Sequence, residues 1–215
     1  NRAQETETKL RSEIKEQAIV RVDRAEPSKN IIRGFRAFNL LLSRYPELHG
    51  KVTFLAFLVP SRTHIRQYQR YMEEIQRVID DINESFGKPE WQPIRTFLEN
   101  NYTQAMAAMK LYDVLLVNSI IDGMNLVAKE GPVVNIRSGT LVLSETAGAY
   151  AQLDEGVLPV APADVEGTAQ ALYAALTSSL EEREKRANFL ARKIEEEDVI
   201  HWMESQIEDL KAIVS

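Results

Sequence analysis

The chain has 215 residues, of which 44% are hydrophobic and 27% are charged, so it can bury a core of ordinary size. Its formal net charge of −6 argues against a protein that binds nucleic acids or acidic membranes, since both need a basic surface. The absence of cysteine excludes disulfides and cysteine–zinc sites and indicates a cytoplasmic location. We find no apolar run long enough for a membrane span and no signal-peptide pattern. The first residue is Asn rather than Met, which leaves open that the chain is part of a longer protein.

The first half of the sequence predicts two strands and two helices. Residues 1–17 are charged and helix-permissive, and we expect a linker or an opening helix there. The β-branched run Ala18–Val22 predicts a strand, and the continuous apolar run Val52–Val59 predicts one that is covered on both faces. Residues 31–46 and 65–86 have apolar side chains at helical spacing. Packing on a sheet explains the longer helix better than a coiled coil, which usually needs more heptads.

The second half continues the alternation of strands and helices. After a loop at residues 87–93, the predicted elements are a short helix at 102–112, strands at 113–119, 140–145 and 156–162, and an almost wholly helical stretch from Ala163 onward. Such alternation is typical of βαβ units with a parallel sheet. We therefore predict an α/β fold, a Rossmann-like parallel sheet of about five strands with helices on both faces. Residues 18–197 would form this domain, and residues 198–215 a C-terminal helix.

Ligands of such sheets bind beyond the carboxyl ends of the strands, so the polar turns at 24–29, 61–62, 118–130 and 144–148 are the candidates for a site. In the first turn, "RAEPSKN", Arg24 and Lys29 follow a strand closely. A guanidinium and an ammonium can together neutralise a diphosphate. Solvated loop charges are the alternative, and on spacing alone the commoner one.

The segment "DGMNLVAKE", residues 122–130, is predicted to start a helix. Free backbone N–H groups and the positive end of the helix dipole suit a phosphate, and Gly123 would let a ligand approach closely. Glu130, one turn into the helix, could accept the hydroxyls of a ribose. The alternatives are that Asp122 only caps the helix and that Glu130 is solvated. The small residues of "SETAGA", 144–149, could admit a ligand to a further helix start.

Other site classes find no support. His49, His64 and His201 are far apart and lack the spacing of metal ligands, so we expect no metal. Neither a Walker A motif nor a G-x-G-x-x-G motif occurs, and no nucleophile elbow is present, which disfavours kinases, nicotinamide dehydrogenases and serine hydrolases.

The residues also resemble a known family. "DVLLV", "DGMNLVAKE" and "LVLSETAGA" resemble the C-terminal half of the trehalose-6-phosphate synthase family, glycosyltransferase family 20. "RAEPSKN" resembles the R-x-D-Y-S-K-G loop of that family, and "VIHWMESQIEDLKAI" resembles its terminal helix. The resemblance runs from about Ala18 to Val214, and its nine-residue central stretch is highly specific.

The resemblance implies a two-domain GT-B glycosyltransferase, of which this chain would be the domain that binds the sugar donor. The implied reaction is a metal-independent transfer of glucose, with retention of configuration, from UDP-glucose or GDP-glucose to glucose 6-phosphate. No cofactor is implied. The acceptor domain would lie outside this chain, so we expect the chain alone to be inactive. Neither nucleic acid nor membrane is expected as a partner, and a homo-oligomer is possible.

The family's roles can be carried over residue by residue. By resemblance, Arg24 and Lys29 hold the diphosphate, Asp122 binds the transferred sugar, the backbone of Gly123, Met124 and Asn125 supports it, Leu126 and Val127 line the phosphate end, Glu130 holds the ribose, and Arg62 meets the acceptor phosphate. Of these, Arg24, Lys29 and Asp122 are the expected catalytic residues.

Several positions depart from the family pattern. Glu26 and Pro27 replace Asp and Tyr, Asn30 replaces Gly, and Tyr102 stands where common members have an Arg near the nucleotide, which leaves uridine or guanosine open. "NSIIDG", "EGPVVNIRS" and "LSETAGA" also resemble the branch of pseudo-glycosyltransferases that join cyclitol units. A related sugar-phosphate or cyclitol transferase is therefore an alternative, and a non-catalytic module that binds a nucleotide sugar is another.

Overall fold

One parallel sheet forms the centre of the molecule. The computed structural model describes residues 2–197 and 199–214, and in these ranges six strands pair in the order β3-β2-β1-β4-β5-β6. The strands are β1 (Gln17–Arg24), β2 (Val52–Val59), β3 (Ile94–Phe97), β4 (Val114–Val117), β5 (Thr140–Ser144) and β6 (Leu158–Val160). All five pairings are parallel, which confirms the predicted Rossmann-like α/β fold.

Helices connect the strands and cover both faces of the sheet. They are α1 (Arg2–Glu13), α2 (Ile31–Arg44), α3 (Arg66–Phe86), α4 (Tyr102–Leu111), α5 (Val127–Val134), α6 (Tyr150–Leu153), α7 (Val165–Thr177), α8 (Leu180–Glu196) and α9 (Val199–Val214). Helices α2, α3 and α7 pack on one face, and α1, α4, α5 and α8 pack on the other. Asn1, Asp198 and Ser215, which bound the first and last predicted segments, lie outside the described residues.

The core is divided by the sheet into two apolar layers because successive side chains of a strand point to opposite faces. In β2, Phe54 and Leu58 belong to the layer under α2, α3 and α7, whereas Leu55 and Phe57 belong to the other layer. Phe54 makes edge-on contact with Phe35 of α2 at a centroid distance of 5.2 Å. This double coverage explains why β2 is a continuous apolar run.

Strand β3 corrects the prediction of about five strands. It has four residues and, within the described part of the chain, pairs only with β2, so it forms an edge of the sheet. Ile94 is fully buried, while the other three residues are half-buried. A strand this short, with one buried position, has too little apolar pattern to be distinguished from the loop before it.

The two ends of the chain differ in how they pack. Helix α1 lies against α4, and its Leu10 is buried. Helix α9 instead exposes a row of large apolar side chains: Val199, Ile200, Trp202, Met203, Ile207, Leu210 and Ile213. No helix in the described ranges is both long and apolar enough to cross a bilayer.

Candidate functional site

The order of the strands creates a crevice between β1 and β4. The chain leaves β1 toward β2 on one side, and it leaves β4 toward β5 on the other, so the two following loops diverge. Ligands of open α/β sheets bind at such a switch point. Here the loop after β1, residues 25–30, and the loop after β4, residues 118–126, meet at a hydrogen bond of 2.8 Å from Ile120 N to Ser28 O.

Lys29 and Asp122 meet in this crevice. The ammonium of Lys29 donates to Asp122 Oδ2 and lies 3.9 Å from Asp23 Oδ1. Asp122 also accepts from Asn125 Nδ2 at 3.0 Å and from Ser119 Oγ at 3.5 Å. Burial alone would raise the pKa of the Asp122 carboxyl, but these hydrogen bonds and the charge of Lys29 hold that pKa below its ordinary value. The structure thus brings together two residues that the sequence placed on separate loops.

Asp122 does not cap a helix, so that alternative is wrong. Helix α5 begins at Val127, later than the sequence suggested, and residues 122–126 form a loop before it. Asn125 has a φ of 68°, which Asn tolerates better than most residues, and its Oδ1 accepts from Ala128 N at 3.2 Å. The backbone N–H groups of residues 123–127 find no acceptor within the part of the chain that the structure describes. They are therefore available to an anion at the start of α5.

The glycines of this region serve two different purposes. A Cβ on Gly123 would meet no atom of the described residues within 4 Å, so one side of the loop is open. A Cβ on Gly148 would lie 1.9 Å from Gly123 O, because the turn after β5 supports the loop. Gly148 N donates to Asp122 O at 3.0 Å, and Ala149 N donates to Met124 O at 2.9 Å. At Gly148 the close approach expected of a ligand is thus made by the chain itself.

Arg24 and Arg62 lie near the crevice with their charged ends directed elsewhere. Arg24 ends β1, its side chain is 62% exposed, and it pairs with Glu26 at 2.9 Å. Glu26 also accepts from Ser61 Oγ at 2.8 Å, which connects the loops after β1 and β2. Arg62 donates to Tyr68 Oη at 3.0 Å and lies over the Tyr68 ring. No hydrogen bond or ion pair joins either guanidinium to Lys29 or Asp122 in the described residues.

The predicted ribose and phosphate contacts lie along α5. Met124 and Leu126 are exposed, and together with Lys129 they line an open cleft of about 720 Å³ against α8 and α9. The Glu130 carboxylate has no hydrogen bond or ion pair to another described residue. Val127 is the first residue of α5 and is half-buried. Among the residues that the structure describes, none of these side chains makes a polar contact that holds the fold together.

Asn30 explains one departure from the family pattern. Its φ is 58°, in the left-handed region that favours glycine, and Asn is among the few other residues that adopt it readily. The Asn30 side chain adds contacts that glycine cannot make, since Nδ2 donates to Asn118 O at 2.9 Å and to Pro162 O at 2.6 Å. The loop after β1 is thereby joined to the loops after β4 and β6.

A buried polar group that was not predicted from the sequence lies directly behind Lys29. Arg21 is fully buried within β1, and its Nη2 lies 2.8 Å from Asp23 Oδ2. Burial raises the pKa of the Asp23 carboxyl, and the charges of Arg21 and Lys29 oppose that shift. A signal was present: an arginine in an apolar strand, with an aspartate two residues later on the same face, predicts a buried ion pair.

The family model described as Glycosyltransferase family 20 matches residues 1–212. The chain belongs to glycosyltransferase family 20. This confirms the resemblance that "DGMNLVAKE" indicated. Among family 20 relatives, the trehalose-6-phosphate synthase of Sodalis glossinidius is 36% identical over 211 residues, which cover 96% of this chain and 44% of the relative. The chain spans about half the length of the relatives that it matches.

Solved structures of the family superpose closely. A UDP-forming α,α-trehalose-phosphate synthase from Burkholderia xenovorans, in complex with glucose-6-phosphate, has a TM-score of 0.89 at 33% identity, covering 95% of this chain and 45% of that one. An Escherichia coli trehalose-6-phosphate structure bound with UDP-2-fluoro glucose has a TM-score of 0.88 at 34% identity, covering 98% and 46%. At these identities the family fold extends over almost the whole chain.

Proposed function

We propose that this chain is the donor-binding half of a retaining glycosyltransferase that moves glucose from a nucleoside diphosphate glucose to glucose 6-phosphate, making trehalose 6-phosphate. The observation that carries this proposal is the meeting of Lys29 and Asp122 at the switch point of the sheet, beside backbone N–H groups with no described acceptor. A cation and free amides suit a diphosphate, while a carboxylate suits the hydroxyls of a sugar. The E. coli and Burkholderia structures with UDP-2-fluoro glucose and glucose-6-phosphate support the same substrates.

The chemical step follows from where charge develops. The bond between the anomeric carbon and the diphosphate oxygen breaks, and a bond from that carbon to the acceptor hydroxyl forms on the same face. The proton of that hydroxyl passes to the departing phosphate oxygen. Lys29 and the amides before α5 stabilise the negative charge on the leaving diphosphate, and Arg24 adds its charge after its exposed side chain turns from Glu26. Because the leaving phosphate oxygen takes the proton, and the cations and amides stabilise its charge, the step requires no protein base.

The remaining contacts of the donor lie along the loop and α5. The backbone of Gly123, Met124 and Asn125 supports the sugar, and Leu126 and Val127 line the phosphate end. Glu130 holds the ribose, a role that suits a carboxylate with no protein partner among the described residues. Titration with UDP and GDP distinguishes uracil from guanine as the base.

Arg62 is the proposed contact to the phosphate of the acceptor. Its guanidinium now lies on Tyr68, and its backbone φ is 47°. Arg62 is exposed on the loop after β2, so its side chain can leave Tyr68 for the phosphate of an acceptor that the domain outside this chain would hold. Removal of this residue would raise the Michaelis constant for the acceptor and leave donor binding unchanged.

The domain assignment accounts for the surface of α9. We propose that residues 18–197 form the donor domain after an opening segment, 1–17, and that the helix of residues 198–215 packs on an acceptor domain outside this chain. The exposed fractions of Trp202 and Ile213, 63% and 81%, suit a helix whose apolar side meets another part of a longer protein. A cytoplasmic location remains a prediction that rests on the lack of cysteine.

A cyclitol transferase is the second candidate. "NSIIDG" and "LSETAGA" favour it, and the structure joins these two segments through a hydrogen bond of 3.1 Å from Thr146 Oγ1 to Ser119 O. Both candidates use the same donor contacts and differ in the acceptor and in the transferred ring. Product analysis with the complete protein distinguishes them.

The test of donor binding is calorimetric titration of the chain with UDP, GDP, UDP-glucose and GDP-glucose. We expect weak binding of one base, weakened further in Glu130→Ala. A gain in affinity from the glucose moiety should disappear in Asp122→Ala. Binding of neither nucleotide by a folded chain, and also by the complete protein, would contradict the proposal.

Catalysis provides the complementary test. Because the acceptor half lies outside this chain, the chain alone should form no trehalose 6-phosphate from either nucleotide glucose and glucose 6-phosphate. Formation of product by the isolated chain would mean that the assignment to a donor half is wrong. The complete protein serves as the positive control.

A further inference from the structure

A guanidinium is fully enclosed behind the crevice. Arg21 has no exposed surface, and its Nε and Nη2 both donate to Asp23 Oδ2, at 3.1 and 2.8 Å. Nη2 also donates to Lys29 O at 2.9 Å and to Asn118 Oδ1 at 3.2 Å, and Nη1 reaches Ile31 O at 3.4 Å. A buried charge is costly unless it is paired and hydrogen-bonded, and here both conditions are met.

Helix α2 leaves room for this group. A Cβ on Gly34 would lie 2.5 Å from Arg21 Nη1 and 3.3 Å from Asn118 Oδ1. The guanidinium carbon also lies 6.0 Å from the centre of the Phe35 ring, on the same helix. The glycine therefore allows the guanidinium to lie against the backbone of α2, between β1 and β4.

Two of the acceptors of Arg21 belong to the two loops that form the crevice. Lys29 O is the carbonyl of the residue whose ammonium meets Asp122, and Asn118 begins the loop that contains Asp122. Asn118 Nδ2 donates in turn to Asn30 O at 3.3 Å. One planar guanidinium, a fork of several N–H donors, thus makes hydrogen bonds to both loops from inside the protein. The single ammonium of a lysine does not reproduce this arrangement.

We propose that Arg21 is a positioning residue, which sets the placement of Lys29 relative to Asp122 and so the affinity for the diphosphate of the donor. Being enclosed, it acts through the two loops and touches no substrate. The inference rests on the proposed donor site and adds a residue that determines its geometry. A chain without the Arg21 fork would keep the nucleoside contacts at Glu130 and lose the alignment of the cations.

The readout is the difference in affinity between UDP and uridine, or GDP and guanosine, measured by NMR titration. This difference isolates the diphosphate. Arg21→Met should reduce it by about tenfold, the scale of one hydrogen bond to a charged group, and leave the affinity for the nucleoside unchanged. Arg21→Lys, which keeps the charge without the fork, should recover part of the difference. Asn118→Ala removes one acceptor only, and it provides the same test if Arg21→Met does not fold.

Arg137→Met is the matched control. Arg137 pairs with Asp113 at 2.9 Å, and Asp113 directly precedes β4, so this ion pair lies at the amino ends of the strands and the crevice at their carboxyl ends. The Arg137→Met variant should be less stable and keep the difference in affinity between UDP and uridine. An unchanged difference in folded Arg21→Met and Asn118→Ala, or an equal loss in Arg137→Met, would overturn the role of Arg21. The absence of such a difference in both the wild-type chain and the complete protein would instead overturn the donor site itself.

Discussion

Lys29 and Asp122 are 93 residues apart in the chain, and their charged ends form an ion pair where β1 and β4 end. Their side chains are only 14% and 17% exposed, so the pair is partly shielded from water. Without a ligand the two charges neutralise each other. In the proposed donor site, an arriving diphosphate would compete with Asp122 for Lys29, and the released carboxylate would accept a sugar hydroxyl. The pair would then couple the two ends of the donor.

Removing either cation should weaken the binding of nucleoside diphosphates. Lys29→Ala and Arg24→Ala are each expected to lower the affinity by roughly 1.5–3 kcal/mol, the scale of a hydrogen bond between charged groups. Calorimetric titration with the preferred nucleotide measures the change. Lys110→Ala is the control, because Lys110 pairs with Glu7 at 3.3 Å on α1, away from the crevice. Unchanged affinity in both crevice variants would remove the diphosphate role.

The Asp122 pair should also appear in the pH dependence of stability. The pKa of Asp122 lies below its ordinary value of 3.8 when the chain is folded, so the unfolded chain takes up the proton first as the pH falls. The stabilisation is present at neutral pH and is lost as the pH falls through the folded pKa. Asp122→Asn should therefore be less stable than the wild type at neutral pH, by about 1 kcal/mol, with the gap closing in acid.

Urea unfolding at neutral pH and at several values below 3.8 measures this gap. In a Lys29→Met background, Asp122→Asn should change the stability little even at neutral pH, since the other half of the ion pair has been removed. A gap that keeps its size in acid would mean that Asp122 contributes through packing and not through its charge.

Substitutions at Gly148 and Gly123 should distinguish a residue that supports the loop from one that leaves room for the ligand. Gly148→Ala places a methyl group 1.9 Å from Gly123 O, so it should destabilise the fold by about 1–3 kcal/mol, the usual cost of overpacking. The methyl group of Gly123→Ala meets no described atom within 4 Å, so this variant should leave the melting temperature unchanged. It should nevertheless weaken the binding of the nucleotide sugar, because the methyl group occupies the open side of the loop. Equal losses of stability would contradict this assignment.

The exposed side of α9 should cause self-association of the isolated chain. Trp202 and Leu210 are 63% and 62% exposed, and a second copy can cover them. Leu210→Gln with Ile213→Gln should increase the monomeric fraction in sedimentation velocity and leave nucleotide affinity unchanged, since neither residue belongs to the described lining of the cleft beside α5. An identical distribution of species in both proteins would show that α9 is not the contact.

Much of the fold could be predicted because the strands that are buried on both faces are continuous apolar runs. Val52–Val59 coincides with β2 residue for residue. The edge strand β3 could not be predicted, since one fully buried residue makes no pattern. The start of α5 was placed too early because the left-handed turn at Asn125 depends on hydrogen bonds that no local spacing encodes.

The candidate site was predicted in part for a similar reason. Lys29 and Asp122 stand in short polar turns after strands, and topology alone brings such turns to one edge. Arg21 and Asn118 are 97 residues apart, and their contact exists only because β1 and β4 are neighbours in the sheet. The small residues around Gly148 allowed two interpretations, because a neighbouring backbone and a bound ligand can each occupy the space that a missing side chain leaves. The sequence could not decide between them.

The two tryptophans of the chain lie in opposite surroundings. Trp91 is 5% exposed and donates from its indole to Val52 O at 3.1 Å, whereas Trp202 projects from α9. An enclosed indole emits at shorter wavelengths than a hydrated one, so the chain has two separable internal fluorophores. Emission from Trp91 reports on the folding of the sheet, and emission from Trp202 reports on the binding of a partner to α9. Titration of the chain with a separately produced partner half can thus be followed optically, without attaching a dye.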